Sequence, residues 1–220
     1  MTQAPFYLDE ITANSQVYAE FIGRITGVPV DTDREATVAR LTPSHRKLVE
    51  DAGFKWEQLH RAEQVHGSDI TIVKKGDTAQ TWPLVDGLIT AELDVLLGIY
   101  TADCGAVYIS DSEKRVIALL HSGKKGTDGN ITEKAIQIMV EDFGCKPADL
   151  IVALAPCIRP PAYEVDFAQT IREQAIAAGV LEGNFTDSDI CTSHHVDDYY
   201  SYRAEKGSTG RMLALLGMRR

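Results

Sequence analysis

The feature that most constrains the fold is a series of short apolar runs in the middle of the chain, separated by glycine, aspartate and proline. Several are almost continuously apolar, which is typical of β-strands covered on both faces. The runs span residues 70–73, 88–90, 95–101, 106–110, 116–120 and 150–155. Because they arrive in clusters rather than in alternation with helices, they predict an α+β fold of layered mixed β-sheets with flanking helices.

Two segments carry helix start and stop signals. TPSHRKLVEDAG predicts a helix with Thr42 as N-cap, Pro43 at the first helical position and Gly53 just beyond the end. NITEKAIQIMVEDFG has apolar residues at helical spacing between Asn130 as N-cap and Gly144 as the stop.

Two more helices are predicted in the last third of the chain. One begins at Asp166 and continues through FAQTIREQAIAAG, and a shorter one is GRMLALLGM, over residues 210–218. These segments supply the flanking helices of the predicted fold.

The composition is that of an ordinary globular protein. The 220 residues are 44% apolar and 25% charged, enough for one domain over residues 1–220 to bury a core without disulfides or a structural metal. The net charge of −10 disfavours nucleic acid or an anionic membrane as a partner. No apolar run reaches the ~18–20 residues of a membrane span and the N-terminus does not resemble a secretory signal, so a cytoplasmic location is expected.

Two histidines and a cysteine stand at predicted strand ends. His66 precedes a glycine, Cys104 lies in a turn between two apolar runs, and His121 ends a run before a glycine-rich loop. Side chains at such ends face loop rims, where clefts form. A thiolate and two imidazoles are good Zn²⁺ ligands, and three protein ligands with water in the fourth position make a catalytic site. The spacing alone matches no short metal-binding motif.

Two aspartates are the carboxylates nearest these residues. Asp103 directly precedes Cys104, where it could shuttle protons or fix the tautomer of a ligating imidazole. Asp86, in VDGL, is interpreted as a turn or structural carboxylate.

Basic and aromatic residues supply candidates for substrate binding. Lys124, Lys125, Arg203 and Arg211 are candidate anion ligands, and solvated loop charges or structural ion pairs are the ordinary alternatives. Backbone amides of the glycine-rich loop before the Asn130 helix would also favour an anion. The tyrosines that could stack a purine or pack in the core are Tyr163, Tyr199, Tyr200 and Tyr202. His194 and His195 are interpreted as part of a polar surface loop.

Six motifs occur in the order and spacing of a known family. They are QVHG, DGLIT, TADCGAVYISD, LLHSGKKGT, APCIRPPAYEV and SYR…STGR, spread over residues 59–211. In these motifs the chain resembles the laccase-domain family, whose members are also called multicopper polyphenol oxidoreductase, purine nucleoside phosphorylase and peptidoglycan editing factor.

The resemblance implies a fold, a metal and a substrate class. The fold would be layered α+β, like that of cytotoxic-necrotizing-factor-type cysteine hydrolases. His66, Cys104 and His121 would hold zinc, with copper possible. Members act on purine nucleosides, by phosphorolysis of adenosine, inosine, guanosine and methylthioadenosine and by deamination of adenosine, so the implied partners are a nucleoside and phosphate. An older label is copper-dependent phenol oxidation.

Three motifs depart from the family pattern. HSGKKG stands where the family has a sequence like HAGWRG, and proline and alanine replace two cysteines before Tyr163. The family's SLNLG-like stretch and Asn-Arg pair are not evident in the first 50 residues. These departures bear on the substrate rather than on the metal ligands.

Three other functions stay open on the sequence. The first is a metal-free hydrolase or amidase acting on peptidoglycan precursors, with Cys104 as nucleophile and His66 or His121 as base. The second is a copper-dependent polyphenol oxidase at a single Cu²⁺, because the chain's six histidines are too few for the mononuclear and trinuclear clusters of a blue multicopper oxidase. The third is a structural zinc site closed by Cys157 or Cys191.

Overall fold

The computed structural model describes residues 5–78 and 80–219, which form two mixed β-sheets flanked by helices. The strands are β1 (Val17–Ile22), β2 (Leu59–Ala62), β3 (Ile70–Ile72), β4 (Thr81–Trp82), β5 (Gly87–Thr90), β6 (Leu96–Thr101), β7 (Gly105–Asp111), β8 (Val116–Ser122), β9 (Ile151–Leu154), β10 (Phe185–Asp187) and β11 (Met212–Met218). The α-helices are α1 (Asp9–Thr12), α2 (Arg34–Asp51), α3 (Lys124–Asp128), α4 (Ile131–Phe143) and α5 (Phe167–Ala177). Single 3₁₀ turns occupy Phe6–Leu8, Trp56–Gln58, Pro147–Asp149, Glu182–Asn184 and Thr192–His194.

The strands form a five-stranded and a six-stranded sheet. The first has the order β1-β11-β6-β2-β4, and the second has the order β10-β9-β7-β8-β5-β3. Each contains parallel and antiparallel pairs: β2 runs parallel to β6 while β11 is antiparallel to it, and β3 runs parallel to β5 while β8 is antiparallel to it. The predicted mixed-sheet α+β architecture is therefore confirmed.

The two sheets pack face to face, and helices cover their outer faces. Strand β8 illustrates the layering: Ile117 and Leu119 face the core between the sheets, while Ala118 and Leu120 face the core under α4 and α5. The outer face of the first sheet packs against residues of α2, including Val49. Because both faces of the central strands are buried, their sequences are almost continuously apolar. They lack the alternation of apolar and polar residues that is typical of a half-buried strand.

The six predicted strand segments are confirmed, with boundaries within two residues. The predicted helices that became α4 and α5 are also confirmed, and the Asp166 side chain accepts a hydrogen bond from the Gln169 amide at 3.0 Å as an N-cap. Asn130 occupies the N-cap position of α4 without a side-chain capping bond; its Oδ1 accepts instead from Gln174 at 2.9 Å.

The predicted helix over residues 210–218 is wrong, because this segment forms β11. The strand lies inside the first sheet, between β1 and β6 and antiparallel to both. All seven residues are buried, with Leu213 and Leu215 facing the α2 side and Ala214 and Leu216 facing the other sheet. A short apolar run has no periodicity that distinguishes a buried strand from a helix.

The predicted start of α2 is also wrong. The helix begins at Arg34, capped by Asp33, whose side chain accepts from the Ala36 amide at 3.0 Å. Pro43 lies inside the helix, on its exposed side. The helix continues past this proline because a buried stripe on the opposite side packs into the protein: Val49 contacts the outer face of the first sheet and Leu41 joins the core between the sheets.

None of the helices in residues 5–78 and 80–219 is both long and apolar enough to cross a bilayer.

Candidate metal centre and substrate cavity

His66, Cys104 and His121 lie together, as the sequence predicts. One potential ligand atom from each falls within 4.8 Å of the other two, close enough for the three side chains to hold one ion. His121 is buried, Cys104 is half-buried and His66 is exposed. The two imidazole rings are 5.0 Å apart between centroids and nearly perpendicular, at 77°. The group is therefore open to solvent on the His66 side.

The crossing between the two sheets positions these ligands. Cys104 lies in the turn that joins β6 of the first sheet to β7 of the second. His121 is near the end of β8, where it pairs with Ala106 of β7. His66 follows β2 in a loop with a left-handed backbone, at φ 62°. Three strand ends thus meet at one edge of the molecule.

The Asp86 carboxylate holds both histidines in place. It is fully buried and accepts the backbone N–H groups of Val65, His66 and Gly67 at 3.1, 3.0 and 2.7 Å. Its Oδ1 also lies 2.7 Å from Nδ1 of His121. This contact leaves Nε2 of His121 as the nitrogen available to an ion, and it is the arrangement that commonly orients metal-ligating histidines.

The structure separates the roles of the two aspartates. Asp86, interpreted as a turn or structural carboxylate, is structural and is also the partner of the His121 imidazole, so the prediction that Asp103 fixes the tautomer of a ligating imidazole is wrong for His121. The Asp103 carboxylate instead accepts from Thr192 Oγ1 and from the Arg203 amide, both at 2.7 Å. Asp103 still lines the cavity beside Cys104, and its catalytic role stays a prediction.

Gln64 is a site residue that the sequence analysis missed. Its side chain donates to the carbonyl of Tyr100, and its Oε1 accepts the Tyr100 amide at 2.9 Å. These bonds dock the His66 loop onto β6. Gln64 also has a left-handed backbone, at φ 65°, which is uncommon for a residue other than glycine and often marks a functional site.

The electrostatics of the group favour a thiolate. Burial raises the pKa of the Cys104 thiol, but the charge and hydrogen bonds of His121 and His66 outweigh it and lower this pKa to about 6. Burial lowers the pKa of His121, while the Cys104 thiolate and Asp86 raise it to about 9. The pKa of Asp86 is held below its usual value, because hydrogen bonds from His121 and the Gly67 amide outweigh burial. Without metal, Cys104 and His121 therefore form an ion pair near neutral pH.

The donor set fits a zinc ion. A thiolate and two imidazoles are the ligands that zinc prefers, and His121 already has the carboxylate partner typical of a metal-bound histidine. Gly123 keeps the sulfur accessible: a Cβ built at this position would lie 2.5 Å from Cys104 Sγ. Gly123 precedes α3, so the predicted glycine-rich loop is wrong in part, since Lys124 and Lys125 begin a short helix.

A cavity of about 760 Å³ opens over the three ligands, a size typical of small-molecule sites. All four predicted anion ligands line it, together with Arg34, which the sequence analysis did not name. Its aromatic walls are Tyr100, Tyr163, Phe167 and Tyr202. Tyr199 and Tyr200 are not among the lining residues: Tyr199 packs near Phe21, and Tyr200 packs under Arg24.

The remaining cysteines and histidines are not part of the three-ligand group. Cys157 and Cys191 are buried neighbours in the core under α4 and α5. His194 and His195 are exposed, in agreement with the predicted surface loop. Among the described residues, no fourth His, Cys, Asp or Glu joins His66, Cys104 and His121 within the same distance, which disfavours a closed structural zinc site.

Comparison with known proteins identifies the family. The family model described as "Multi-copper polyphenol oxidoreductase laccase" matches residues 26–169 and 164–219. The chain belongs to this laccase family. Two curated relatives of this chain are named purine nucleoside phosphorylase. YlmD of Geobacillus stearothermophilus is 32% identical, over 88% of this chain and 82% of the relative. A Deinococcus radiodurans protein is 31% identical, over 90% of this chain and 85% of the relative.

Solved structures show the same fold. The crystal structure of YlmD from Geobacillus stearothermophilus matches with a TM-score of 0.85 and 28% identity, over 94% of this chain and 93% of that one. Bacillus licheniformis protein YfiH, at 22% identity, also has a TM-score of 0.85, over 93% and 94%. The two-sheet architecture of the laccase-family chain is therefore one that these proteins share.

Proposed function

We propose that the chain is a zinc-dependent purine nucleoside enzyme. Its reactions would be phosphorolysis of adenosine, inosine, guanosine or methylthioadenosine, deamination of adenosine, or both. The observation that carries the proposal is the convergence of His66, Cys104 and His121 on the floor of a substrate-sized cavity. The relatives named purine nucleoside phosphorylase support the same substrate class.

His66, Cys104 and His121 would hold the ion. A zinc ion bound there supplies Lewis acidity and lowers the pKa of a bound water to about 7. The protein contributes the low pKa of Cys104, so that the thiolate is present without a further base. It also contributes Asp86, which keeps Nδ1 of His121 occupied and Nε2 directed to the ion. Copper would bind the same donors, since Cu²⁺ ranks above Zn²⁺ in affinity for such sites.

The cavity walls suit a nucleoside. Tyr163, Phe167 and Tyr202 provide aromatic faces on which a purine can stack. The cationic side chains of Lys124, Lys125, Arg203 and Arg211 are proposed to bind anionic groups of the substrates, and Asp103 is proposed to move a proton. Because these cations are local to the cavity of a chain with net charge −10, they favour a small anion over a nucleic acid.

The second candidate function is a metal-free Cys–His hydrolase or amidase on peptidoglycan precursors. The ion pair of Cys104 and His121 favours it, because a low thiol pKa beside an imidazolium is what a cysteine nucleophile needs. The predicted likeness to cytotoxic-necrotizing-factor-type hydrolase folds would accord with this function and stays a prediction. Copper-dependent phenol oxidation rests on the family description alone.

A single domain over residues 1–220 and a cytoplasmic location are part of the main proposal, that of a zinc-dependent purine nucleoside enzyme.

The deciding experiment combines metal analysis with a substrate panel. The purified protein is assayed with adenosine, inosine, guanosine and methylthioadenosine, with and without phosphate, and the products are identified. Phosphorolysis should give free base with ribose 1-phosphate, or with 5-methylthioribose 1-phosphate from methylthioadenosine, only when phosphate is present, whereas deamination should give inosine and ammonia from adenosine without it. We expect stoichiometric zinc, and loss of both zinc and turnover in Cys104→Ala. Full turnover in Cys104→Ala would overturn the proposal, and a metal-free, alkylatable thiol with amidase activity would favour the second candidate.

A further inference from the structure

Ion pairing divides the five cations of the cavity wall into two groups. Lys124 pairs with Asp128 at 2.8 Å, and Arg203 pairs with Glu164 at 3.0 Å. For the other three, Lys125, Arg34 and Arg211, no carboxylate of the described residues lies within 4.0 Å. The cavity thus keeps uncompensated positive charge, although the chain as a whole carries a net charge of −10.

The two unpaired arginines are fixed by backbone carbonyls. Nη1 of Arg211 donates to the carbonyls of Thr209 and Gly210 at 3.2 and 2.6 Å. Nη2 of Arg34, in the first turn of α2, donates to the carbonyl of Glu63 at 3.3 Å. A guanidinium carries five N–H donors, and the remaining donors of both arginines have no partner among the described residues. Each side chain is therefore anchored at one end and can still donate into the cavity.

Arg34 and Arg211 line the same cavity as Cys104. Burial and the charge of Arg34 lower the pKa of Arg211, while Tyr202, Cys104 and Asp103 raise it. Two like charges that share a cavity destabilise it unless an anion lies between them.

We propose that Arg34 and Arg211 form the binding subsite for inorganic phosphate, the second substrate of phosphorolysis. This inference rests on the proposed function for its reaction, and on the two guanidinium groups for its site. Two forked arginines match the oxygens of a tetrahedral dianion and neutralise its charge. Arg34, the first residue of α2, is then a substrate-binding residue contributed by the N-terminal part of the chain.

The position of this subsite suits the chemistry. In phosphorolysis an oxygen of hydrogen phosphate forms a bond to C1′ of the ribose while the bond from C1′ to N9 of the purine breaks. The electron pair of that bond leaves with the purine, which takes up the proton that the phosphate gives up. The products are ribose 1-phosphate and the free base. Arg211, which lines the same cavity as Cys104, would hold the phosphate next to the bound nucleoside.

The test measures phosphate binding separately from turnover. Calorimetry with inorganic phosphate is done on the zinc-loaded wild-type protein and on Arg34→Gln, with Arg46→Gln as the matched control. Arg46 lies on the same helix, pairs with Glu50 and does not line the cavity. We expect the phosphate Kd to rise at least about tenfold in Arg34→Gln, as for loss of a charge-assisted hydrogen bond, and to stay unchanged in Arg46→Gln. The KM for phosphate should rise in parallel, while the KM for nucleoside stays the same.

A second variant and a second ligand keep the proposal falsifiable. Arg211→Lys retains the charge but loses the fork, and we expect weaker phosphate binding in a variant whose folding is checked by a cooperative urea transition. Unchanged phosphate affinity in Arg34→Gln and in Arg211→Lys would overturn the subsite and leave the proposed function standing. If Arg34→Gln weakens only adenosine 5′-monophosphate, the arginine recognises a nucleotide phosphate and the co-substrate assignment is wrong. Arginine-dependent phosphate binding without cleavage of any nucleoside would keep the subsite and overturn the proposed function.

Discussion

Replacing Asp86 by asparagine should uncouple the two histidines from each other. In the wild-type chain, Oδ1 accepts the His66 amide and Nδ1 of His121, and Oδ2 accepts the amides of Val65 and Gly67. An asparagine side chain has one oxygen, so its NH₂ group must face one of these two donor pairs. Neither choice satisfies all four donors.

The cost can be worked for each orientation. With the NH₂ group at the Oδ2 position, two backbone N–H groups and the NH₂ itself lose their partners, and each buried unsatisfied group costs about 1–3 kcal/mol. With the NH₂ group at the Oδ1 position, the asparagine donates a hydrogen bond to Nδ1 of His121. The proton of the neutral ring must then lie on Nε2, and it blocks the nitrogen that would bind the ion. We therefore expect a loss of about 3–9 kcal/mol in stability for the first orientation, or a 10- to 100-fold loss of zinc affinity for the second.

Two measurements check this reasoning. Urea unfolding gives the stability, and competition with a calibrated chelator gives the zinc affinity. Asp128→Asn is the control, since it removes an exposed carboxylate from the same region. If Asp86→Asn keeps both the unfolding midpoint and the zinc affinity of the wild-type protein, Asp86 does not hold the site and the argument from its four hydrogen bonds fails.

Three further changes have defined outcomes. Gly123→Ala should lower zinc affinity at least about tenfold, because the new Cβ lies 2.5 Å from Cys104 Sγ; chelator competition measures it. In the zinc-depleted protein, the rate of alkylation of Cys104 by iodoacetamide should increase with pH around a midpoint near 6. This is the pKa that results from burial, which raises it, and from His121, which lowers it by more; an ordinary cysteine has a midpoint at ~8.5. His45 is fully buried, and burial lowers its pKa to about 4. In the unfolded chain this histidine has a pKa of about 6.5, so as the pH falls the unfolded chain binds a proton before the folded chain does. The free energy of unfolding is therefore at its full value above about pH 6.5 and about 2 kcal/mol lower at pH 5. His45→Leu should remove that acid-dependent loss, as followed by urea unfolding at both pH values.

Each of these has its own control. Gly183→Ala, where a Cβ meets nothing within 4 Å, should leave zinc binding unchanged, and equal effects of the two glycine variants would contradict the steric argument. Cys104→Ala should abolish the alkylation phase with the low midpoint, and its survival would assign that phase to another thiol. His194→Gln, at an exposed position, should keep the wild-type acid dependence, and an unaltered pH profile in His45→Leu would show that His45 is not the acid-sensitive group.

The fold was predictable where a local signal and the tertiary environment agree. Asp166 and Gly144 mark real helix ends because capping and left-handed glycine termini act locally. The segment that forms β11 was not predictable, because its place between β1 and β6 depends on strands more than 100 residues away. Pro43 misled for a similar reason, since packing against the first sheet outweighs the hydrogen bond that a proline cannot make.

The residues of the site also divide into those that local signals predict and those that only the folded chain reveals. His66, Cys104 and His121 could be selected because each is a metal ligand by chemistry and stands at a strand end. The roles of Asp86 and Asp103 could not be separated from sequence, because both are aspartates in turns and only the folded chain shows that Asp86 lies against the His121 ring. Arg34 gave no signal, since it stands 32 residues before His66 and reaches the cavity only through the position of α2.

The position of β11 between β1 and β6 has a consequence for biosynthesis. Among the described strands, β1 pairs with β11 alone, so β1 gains no neighbour in its sheet until residues 212–218 have left the ribosome. Two of the five strands of the first sheet therefore join it late, and the apolar edges of β1 and β6 stay exposed during that interval. Loss of residues 212–218 would be expected to leave a chain that cannot complete its first sheet, however intact its metal ligands are.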